Sequence, residues 1–197
     1  MKILLHACCG PCAIYPANLL RQQGFEVSLY FYNPNIHPFM EFRKRIESLR
    51  LFAEKNDLES FIDDRYRLTD FLRTVVFNET KRCSLCQSMR IEETVTFAKK
   101  HHFEYFTSSL LYSRYQNHDE IKGQCEDISK GSGVQFVYYD FREGWKSGIE
   151  SAISQGLYRQ AYCGCIYSEQ ERYDKTMRTK RKNNNVENDS PGDKQQK

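Results

Sequence analysis

The chain has 197 residues, of which 40% are hydrophobic and 14% aromatic, enough for one domain with a full hydrophobic core. A formal net charge of only +3 excludes the strongly basic composition that by itself indicates a nucleic-acid binder, although a local basic face is compatible with it. No stretch approaches the roughly 18 apolar residues of a membrane span, and the N-terminus lacks the layout of a signal peptide. We therefore expect a cytoplasmic protein without membrane partners, in which paired cysteines indicate metal ligands or catalytic groups before disulfides.

Strand-like and helical patterns alternate along the chain. Short apolar runs predict strands, and apolar residues repeating every three or four positions predict helices. The expected strands are 2–7, 26–32, 60–62, 104–109 and 134–140. The expected helices are 11–23, a long helix from residue 39 with Phe39, Phe42, Ile46, Leu49, Phe52 and Ala53 on one face, 67–76, 83–100, 114–130 and 145–155. This alternation predicts a three-layer α/β fold with a mainly parallel sheet.

The composition changes near Thr176. Beyond it the chain has a single aliphatic residue and is rich in Asn, Lys and Gln. We expect one α/β domain over residues 1–175 and a disordered polar tail over residues 176–197.

Seven of the eight cysteines fall in three clusters that are far apart in sequence. The clusters are Cys8, Cys9 and Cys12; Cys83 and Cys86; and Cys163 and Cys165. Seven thiolates are too many for one tetrahedral site, whereas four can hold an iron–sulfur cluster and three remain for a second metal or for redox chemistry. The pattern therefore favours two neighbouring metal centres.

The first cysteine cluster follows the first predicted strand, at the edge of an α/β sheet where ligands bind. Cys9 and Cys12 have a C-x-x-C spacing that suits a turn into a helix, and a helix start favours the thiolate that a metal requires. Adjacent Cys8 and Cys9 are expected to point in different directions and serve two centres. The glycine-rich phosphate loops of nucleotide-binding folds are absent from the sequence, so ATP hydrolysis is not expected.

Two simpler interpretations of the cysteines stay open. A structural zinc site made from two C-x-x-C pairs would leave three clustered cysteines without a role. A thioredoxin-like dithiol fits less well, because two further clusters accompany C-G-P-C. Cys125 stands alone on a polar helix and is interpreted as incidental.

Other polar residues gather after predicted strands. Asn33 and Asn35 suit loop capping, and His118 is as well explained by an ordinary histidine position as by catalysis. Arg159, next to Gln160 and just before the last cysteines, is a candidate to bind phosphate or a polar substrate.

Several motifs together resemble one family, the epoxyqueuosine reductases QueH, also described as DUF208. They are HACCGPC (6–12), YNPNIHP (32–38), RCSLC (82–86), TSSLLYSRYQNH (107–118) and YRQAYCGCIYS (158–168). The resemblance spans roughly residues 1–173. It implies an adenine-nucleotide-hydrolase-like, HUP or Rossmann-like, α/β fold with the metal site at the carboxyl ends of the strands. It also implies reduction of the epoxide of epoxyqueuosine at the tRNA wobble position, the last step of queuosine synthesis.

The family resemblance further implies a [4Fe-4S] cluster beside a mononuclear iron, with no cobalamin and no ATP. Carried over by position, Cys9, Cys83, Cys86 and Cys163 would hold the cluster and Cys8, Cys12 and Cys165 the second metal. Some similar sequences carry aspartate where this chain has Cys12, and a thiolate there would make the second site softer. The partners would be the tRNA anticodon loop and a reduced electron donor such as a ferredoxin or flavodoxin.

Within that hypothesis, His6 is a candidate proton donor and equally a strand-packing residue, and His118 is a second catalytic candidate. The substrate-binding candidates are Asn33, Asn35, Tyr112, Tyr115, Arg159 and Gln160, with the two tyrosines as stacking platforms. The phosphate-binding candidates, each also explicable as ordinary surface, are Arg43, Lys44, Arg45, Arg82, Arg90 and Arg114. A zinc-stabilised RNA-binding module and a small electron-transfer protein are the competing hypotheses.

Overall fold

The structure is a computed structural model that describes residues 1–176. Its strands are β1 (Lys2–His6), β2 (Glu26–Phe31), β3 (Glu59–Ile62), β4 (Tyr105–Ser108) and β5 (Gln135–Phe136). Its α-helices are α1 (Gly10–Gln22), α2 (Phe39–Lys55), α3 (Leu68–Val75), α4 (Arg82–Lys100), α5 (His118–Ser129), α6 (Trp145–Ser154) and α7 (Ile166–Tyr173). Short 3-10 helices span Glu79–Lys81, Ser109–Tyr112 and Phe141–Gly144.

The five strands form one fully parallel sheet in the order β3-β2-β1-β4-β5. Strand order reverses between β1 and β4, where the crevice at the carboxyl ends of an α/β sheet binds ligands. Cys8 follows β1 at this point, and its backbone N–H donates to Ser109 Oγ beyond β4 at 3.2 Å. The predicted three-layer, mainly parallel α/β fold is confirmed, and the first cysteine cluster lies at its switch point.

The main core covers the sheet with apolar faces of the helices. On α2, Phe42, Ile46 and Leu49 are buried as their helical spacing predicts. Phe39, expected on the same face, is 49% exposed because it begins the helix, and its ring meets Tyr66 in a T-shaped contact.

Three element predictions need correction. The strand predicted over 134–140 is only Gln135–Phe136, because the chain then turns and the Asp140 side chain caps a 3-10 helix by accepting from the Arg142 N–H. The helix predicted from residue 114 begins at His118, where Asn117 accepts from the Glu120 N–H as N-cap. Helix α7 was not predicted, because its sequence is mostly polar and no residue of it is buried.

Cys125 is fully buried in the main core, although it was interpreted as an incidental residue of a polar helix. It packs as a small hydrophobic side chain, and the burial raises the pKa of its thiol. Its role is therefore structural.

Within residues 1–176, no helix combines the length and apolar character that crossing a bilayer requires. Most of the predicted tail, residues 177–197, lies outside the described residues. Its disorder and the domain boundary stay predictions.

Candidate metal centre

Cys8, Cys9 and Cys12 form a compact thiol triad where β1 turns into α1. Their three sulfur atoms lie within 4.8 Å of one another, the only such group of histidine, cysteine or carboxylate ligand atoms among residues 1–176. Cys9 precedes the helix in an extended conformation, and the Cys8 and Cys9 sulfurs are 3.9 Å apart. The turn directs both sulfurs to one place, so the expectation that these neighbours point in different directions is wrong, and their assignment to different centres stays a prediction.

The other four clustered cysteines gather beside the triad. Cys86 and Cys165 are buried together against Phe71 and Val75, whereas Cys83 and Cys163 are exposed. Burial raises the pKa of the Cys86 thiol to about 12, and the neighbouring Cys163, Cys165 and Cys83 raise it further through their charge. Arg90 interacts through its charge with Cys86, Cys163, Cys165 and also Cys8, and Cys163 interacts with Cys8, so the three remote clusters meet beside the triad.

The three thiols of the triad have different pKa values. Hydrogen bonds from the Cys12 and Cys9 thiols hold the pKa of Cys8 well below its usual range. Burial raises the pKa of Cys9, and the hydrogen bond to Cys8 raises that of Cys12. Cys8 is thus the first thiolate, and a bound metal ion must displace the protons of the other two.

Two buried guanidinium groups supply positive charge to the thiols. Arg90 is only 2% exposed and donates from Nε to the Cys86 carbonyl oxygen at 3.0 Å. Burial by itself lowers the pKa of Arg90, but the charges of Cys86, Cys163 and Cys8 raise it above its usual value. Among the described residues, no carboxylate lies within 4.0 Å of Arg90, so its counter-charges are the Cys8 thiolate and, once a metal displaces their protons, the other cysteines.

Arg45 is fully buried and pairs with Glu41, with 2.7 Å between Nε and the carboxylate oxygen. Because Arg45 and Arg90 are inside the protein, their predicted role as phosphate contacts is wrong. Sequence reasoning missed their structural role, although one signal existed: Arg45 falls on the apolar face of α2, three residues after Phe42 and four before Leu49.

Gln160 bridges two thiols of the triad. Its Oε1 accepts from the Cys9 sulfur at 3.1 Å, and its Nε2 donates to the Cys12 sulfur at 3.2 Å. The adjacent Arg159 is exposed. Of the predicted substrate residues, Gln160 thus contacts the candidate metal ligands directly, and Arg159 is left facing solvent.

His6 lies within the sheet and is fully buried. Its Nδ1 lies 2.9 Å from Ser108 Oγ and its Nε2 3.2 Å from the Tyr32 carbonyl oxygen. Burial and then the charge of Arg90 lower the pKa of His6 to about 4, so its ring is neutral near pH 7.

The Asn33 side chain donates to the Ala7 carbonyl oxygen at 3.0 Å and so links the loop after β2 to the turn after β1. Asn35 is also buried, and its Nδ2 approaches Gly164 in the last cysteine motif. The Oδ1 atoms of both side chains are buried without a hydrogen-bond partner. Their placement fits loop capping and locates both residues beside the cysteines.

The remaining predicted substrate-binding and catalytic residues differ in their exposure to solvent. Tyr112 is buried, with its hydroxyl donating to the Trp145 carbonyl oxygen at 3.1 Å, so it offers no free stacking face. Tyr115 is 87% exposed and meets Trp145 edge to face. His118 Nε2 lies 3.1 Å from the Tyr138 hydroxyl, and its charged neighbours are Arg142, Asp140, Asp119 and Lys122 rather than cysteines.

The donor set suits soft metals. Thiolates select zinc, copper(I) and iron–sulfur clusters, and the gathered cysteines come from both C-x-x-C motifs and the C-G-C motif. The fold and site together define a three-layer α/β protein with a parallel sheet and a cysteine site at the carboxyl ends of its strands.

Comparison with known proteins identifies the family. The family model for "Epoxyqueuosine reductase QueH" matches residues 3–171, so the chain belongs to this family and the resemblance is confirmed. Proteins named epoxyqueuosine reductase QueH from Dehalococcoides mccartyi, Haemophilus influenzae and Thermotoga maritima are 40%, 36% and 33% identical to it. These alignments cover 88%, 85% and 91% of this chain and 96%, 71% and 96% of the relatives.

A crystal structure of a predicted subunit of a tRNA methyltransferase from Methanocaldococcus jannaschii shares the fold, with a TM-score of 0.51. The two chains are 14% identical, and the match covers 78% of this chain and 74% of the other.

Proposed function

We propose that the protein is an epoxyqueuosine reductase that acts on tRNA and completes queuosine synthesis. The reaction removes the epoxide oxygen as water and leaves an alkene, which consumes two electrons and two protons. The observation that carries the proposal is the Cys8, Cys9 and Cys12 triad at the switch point of the sheet, with Cys86, Cys163 and Cys165 close enough to share the charge of Arg90 with Cys8, in a chain that belongs to this family. No ATP and no cobalamin take part.

The seven clustered cysteines are proposed to hold a [4Fe-4S] cluster and a single adjacent iron. Three sulfurs within 4.8 Å of one another suit one ion, which supports Cys8, Cys9 and Cys12 as its ligands. A four-iron cluster is wider, so its thiolates stand further apart, which supports the other four cysteines as its ligands. In the sequence-based assignment, Cys9 belongs to the cluster and Cys165 to the second metal, whereas here the two change places. The sequence-based assignment stays untested.

When bound, the two centres would supply one-electron reduction and Lewis acidity toward the epoxide oxygen. The residues of the chain then have defined tasks. Arg90 and Arg45 balance the negative charge of the thiolates, and Gln160 orients the Cys9 and Cys12 sulfurs. His6 keeps a neutral ring between Ser108 and Tyr32, which supports a positioning task in the sheet over proton donation.

The tRNA anticodon loop is the proposed substrate. Arg159 is exposed next to Gln160 and is proposed to contact a phosphate or the modified base. Tyr115, which is exposed and rests on Trp145, is the proposed stacking platform. The electrons are proposed to come from a ferredoxin or flavodoxin in the cytoplasm.

Metal analysis tests the proposal. Anaerobically purified protein is assayed for iron, acid-labile sulfide and zinc, and then for turnover of epoxyqueuosine tRNA. We expect iron to exceed sulfide in a ratio near five to four, with alkene formation on the tRNA. Stoichiometric zinc that persists after anaerobic reconstitution with iron and sulfide would instead support a structural zinc module.

Cysteine variants sharpen this assay. Cys12→Ala should abolish turnover and lower iron while most sulfide is retained, whereas Cys86→Ala should lose both. Cys125→Ala is the matched control, because Cys125 is buried in the core. It should retain iron and sulfide, and equal losses in all three variants would contradict the ligand assignment.

A further inference from the structure

The side-chain amide of Asn35 is buried without a hydrogen-bond partner. Asn35 is only 1% exposed, and its Oδ1 is one of the buried polar atoms that have no partner within residues 1–176. Its Nδ2 forms no hydrogen bond with this part of the chain either. Because a buried polar group without a partner costs free energy, it indicates a further group that the amide binds.

This amide lies against the last cysteine motif. A Cβ added at Gly164 would lie 3.0 Å from Asn35 Nδ2 and 3.4 Å from Arg45 Nη1. The φ of Gly164 is +151°, a conformation that favours glycine, so the absence of a side chain lets the backbone approach the amide. The Asn35 donor is therefore next to the residue that separates Cys163 from Cys165.

The backbone carbonyl oxygens of this motif already have donors. Those of residues 162–165 accept from Arg45 twice, from the His37 N–H and from Ser168 Oγ, at distances of 2.7 to 2.9 Å. The acceptors that this motif still offers to the Asn35 amide are its cysteine sulfurs and the metal-bound sulfur they would hold. Sulfur in an iron–sulfur centre accepts hydrogen bonds from such donors.

We propose that Asn35 Nδ2 donates a hydrogen bond to a sulfur atom of the iron–sulfur cluster and thereby raises the reduction potential of the cluster. The inference rests on the proposed function, and Cys163 is a cluster ligand in both assignments of the cysteines. Uptake of one electron from the reduced donor adds one negative charge to the cluster. A hydrogen bond to sulfur stabilises this more negative, reduced form. Asn35 acts through the cluster and is therefore a positioning residue.

Asn35→Leu tests the proposal, because leucine keeps the approximate size of the side chain and removes its donor. Anaerobic, reconstituted protein is titrated with dithionite in the presence of redox mediators, and the reduced cluster is followed by electron paramagnetic resonance. At the wild-type midpoint, the ratio of oxidised to reduced cluster should rise about tenfold, which is a shift of about 59 mV to lower potential. An unchanged midpoint in a variant that retains its iron and sulfide would overturn the proposal.

Asn56→Leu is the matched control. The Asn56 amide has partners within the chain, since its Nδ2 donates to the Phe52 carbonyl oxygen at 2.8 Å and to Gln155 Oε1 at 3.3 Å. The control should leave the midpoint unchanged and raise the unfolding equilibrium constant of metal-free protein about fivefold or more, because both hydrogen bonds are lost.

Urea denaturation of metal-free protein decides the proposal even for a variant that cannot hold the cluster. Asn35→Leu should not raise the unfolding equilibrium constant, because its amide has no partner to lose. Loss of the cluster with unchanged metal-free stability would support the hydrogen bond. A rise as large as that of Asn56→Leu would show that the amide is satisfied within the chain and would overturn the proposal.

Two further outcomes separate this proposal from the proposed function. An unchanged midpoint with weaker binding of epoxyqueuosine tRNA would assign the Asn35 amide to the substrate and so exclude its role at the cluster. Wild-type protein that holds the cluster and shows the predicted effect of Asn35→Leu, but does not reduce epoxyqueuosine tRNA, would refute the reductase and support the hydrogen bond.

Discussion

Arg45 of α2 binds the backbone of the last cysteine motif at Cys163. Its Nη1 donates to the Cys163 backbone carbonyl oxygen at 2.7 Å, although 118 positions separate the two residues. Its Nη2 donates to the Tyr162 carbonyl oxygen at 2.9 Å, and Glu41 fixes the guanidinium from its own helix. The position of the Cys163 segment therefore depends on one buried cation of α2.

Arg45→Met should destabilise the protein strongly. It leaves the Glu41 carboxylate buried without its cation and the two carbonyl oxygens without their donor, a loss of about 3–5 kcal/mol in the free energy of unfolding. Urea denaturation of the metal-free protein measures this loss. Arg50→Met, on the same helix but exposed, should change the free energy by less than about 0.5 kcal/mol. A similarly small change for Arg45→Met would show that Arg45 does not stabilise the Cys163 segment.

Arg90→Met should weaken both the metal-free and the metal-loaded protein. Without metal, the replacement removes the cation that faces the Cys8 thiolate and leaves the Cys86 carbonyl oxygen without its donor, so the free energy of unfolding should fall by about 1–3 kcal/mol. With metal, the same replacement removes positive charge beside the thiolates. The iron and sulfide retained after gel filtration should therefore fall, and a loss of stability without any loss of iron would contradict this balance.

Gly10→Ala should disturb the triad through packing. An added Cβ at Gly10 would lie 2.4 Å from the Ser48 backbone oxygen, so α1 must move away from α2. We expect a loss of about 1–3 kcal/mol in the free energy of unfolding and weaker iron binding. Gly123→Ala is the control, since apart from the neighbouring backbone of α5 itself nothing lies within 4 Å of its added Cβ, and it should stabilise by about 0.5–1 kcal/mol.

His37 should make the protein less stable in mild acid. Its ring is fully buried, and burial lowers its pKa from 6.5 to about 4. Between these values the unfolded state binds a proton that the folded state does not, so this stability is present above pH 6.5 and is lost as the pH falls toward 4. From pH 6.5 to 5 the loss should be about 2 kcal/mol.

Comparison with His37→Asn isolates this contribution to the acid sensitivity. The variant should be less stable at pH 7, but its stability should fall about 2 kcal/mol less between pH 6.5 and 5. Exposed His102, replaced by Asn, should leave the slope as in the wild type. Identical slopes for His37→Asn and the wild type would show that His37 does not cause the effect.

The sequence alone determined the fold class and the grouping of the cysteines. Alternating apolar strands and amphipathic helices fix a parallel α/β sheet, because the period of apolar residues selects each element and short connections fix their order. The place of Cys8 after the first strand then predicts a site at the carboxyl edge. The weak predictions were for polar segments such as α7, where no apolar period exists.

Only the tertiary structure decided which side chains meet. The 3.9 Å approach of the Cys8 and Cys9 sulfurs depends on one turn geometry, and the Gln160 bridge joins segments that no local pattern connects. Burial of Arg45, Arg90 and Cys125 likewise follows from packing between elements. Sequence patterns report the preference of a residue for water or core, whereas the charge balance around these thiols is set by contacts between residues far apart in the chain.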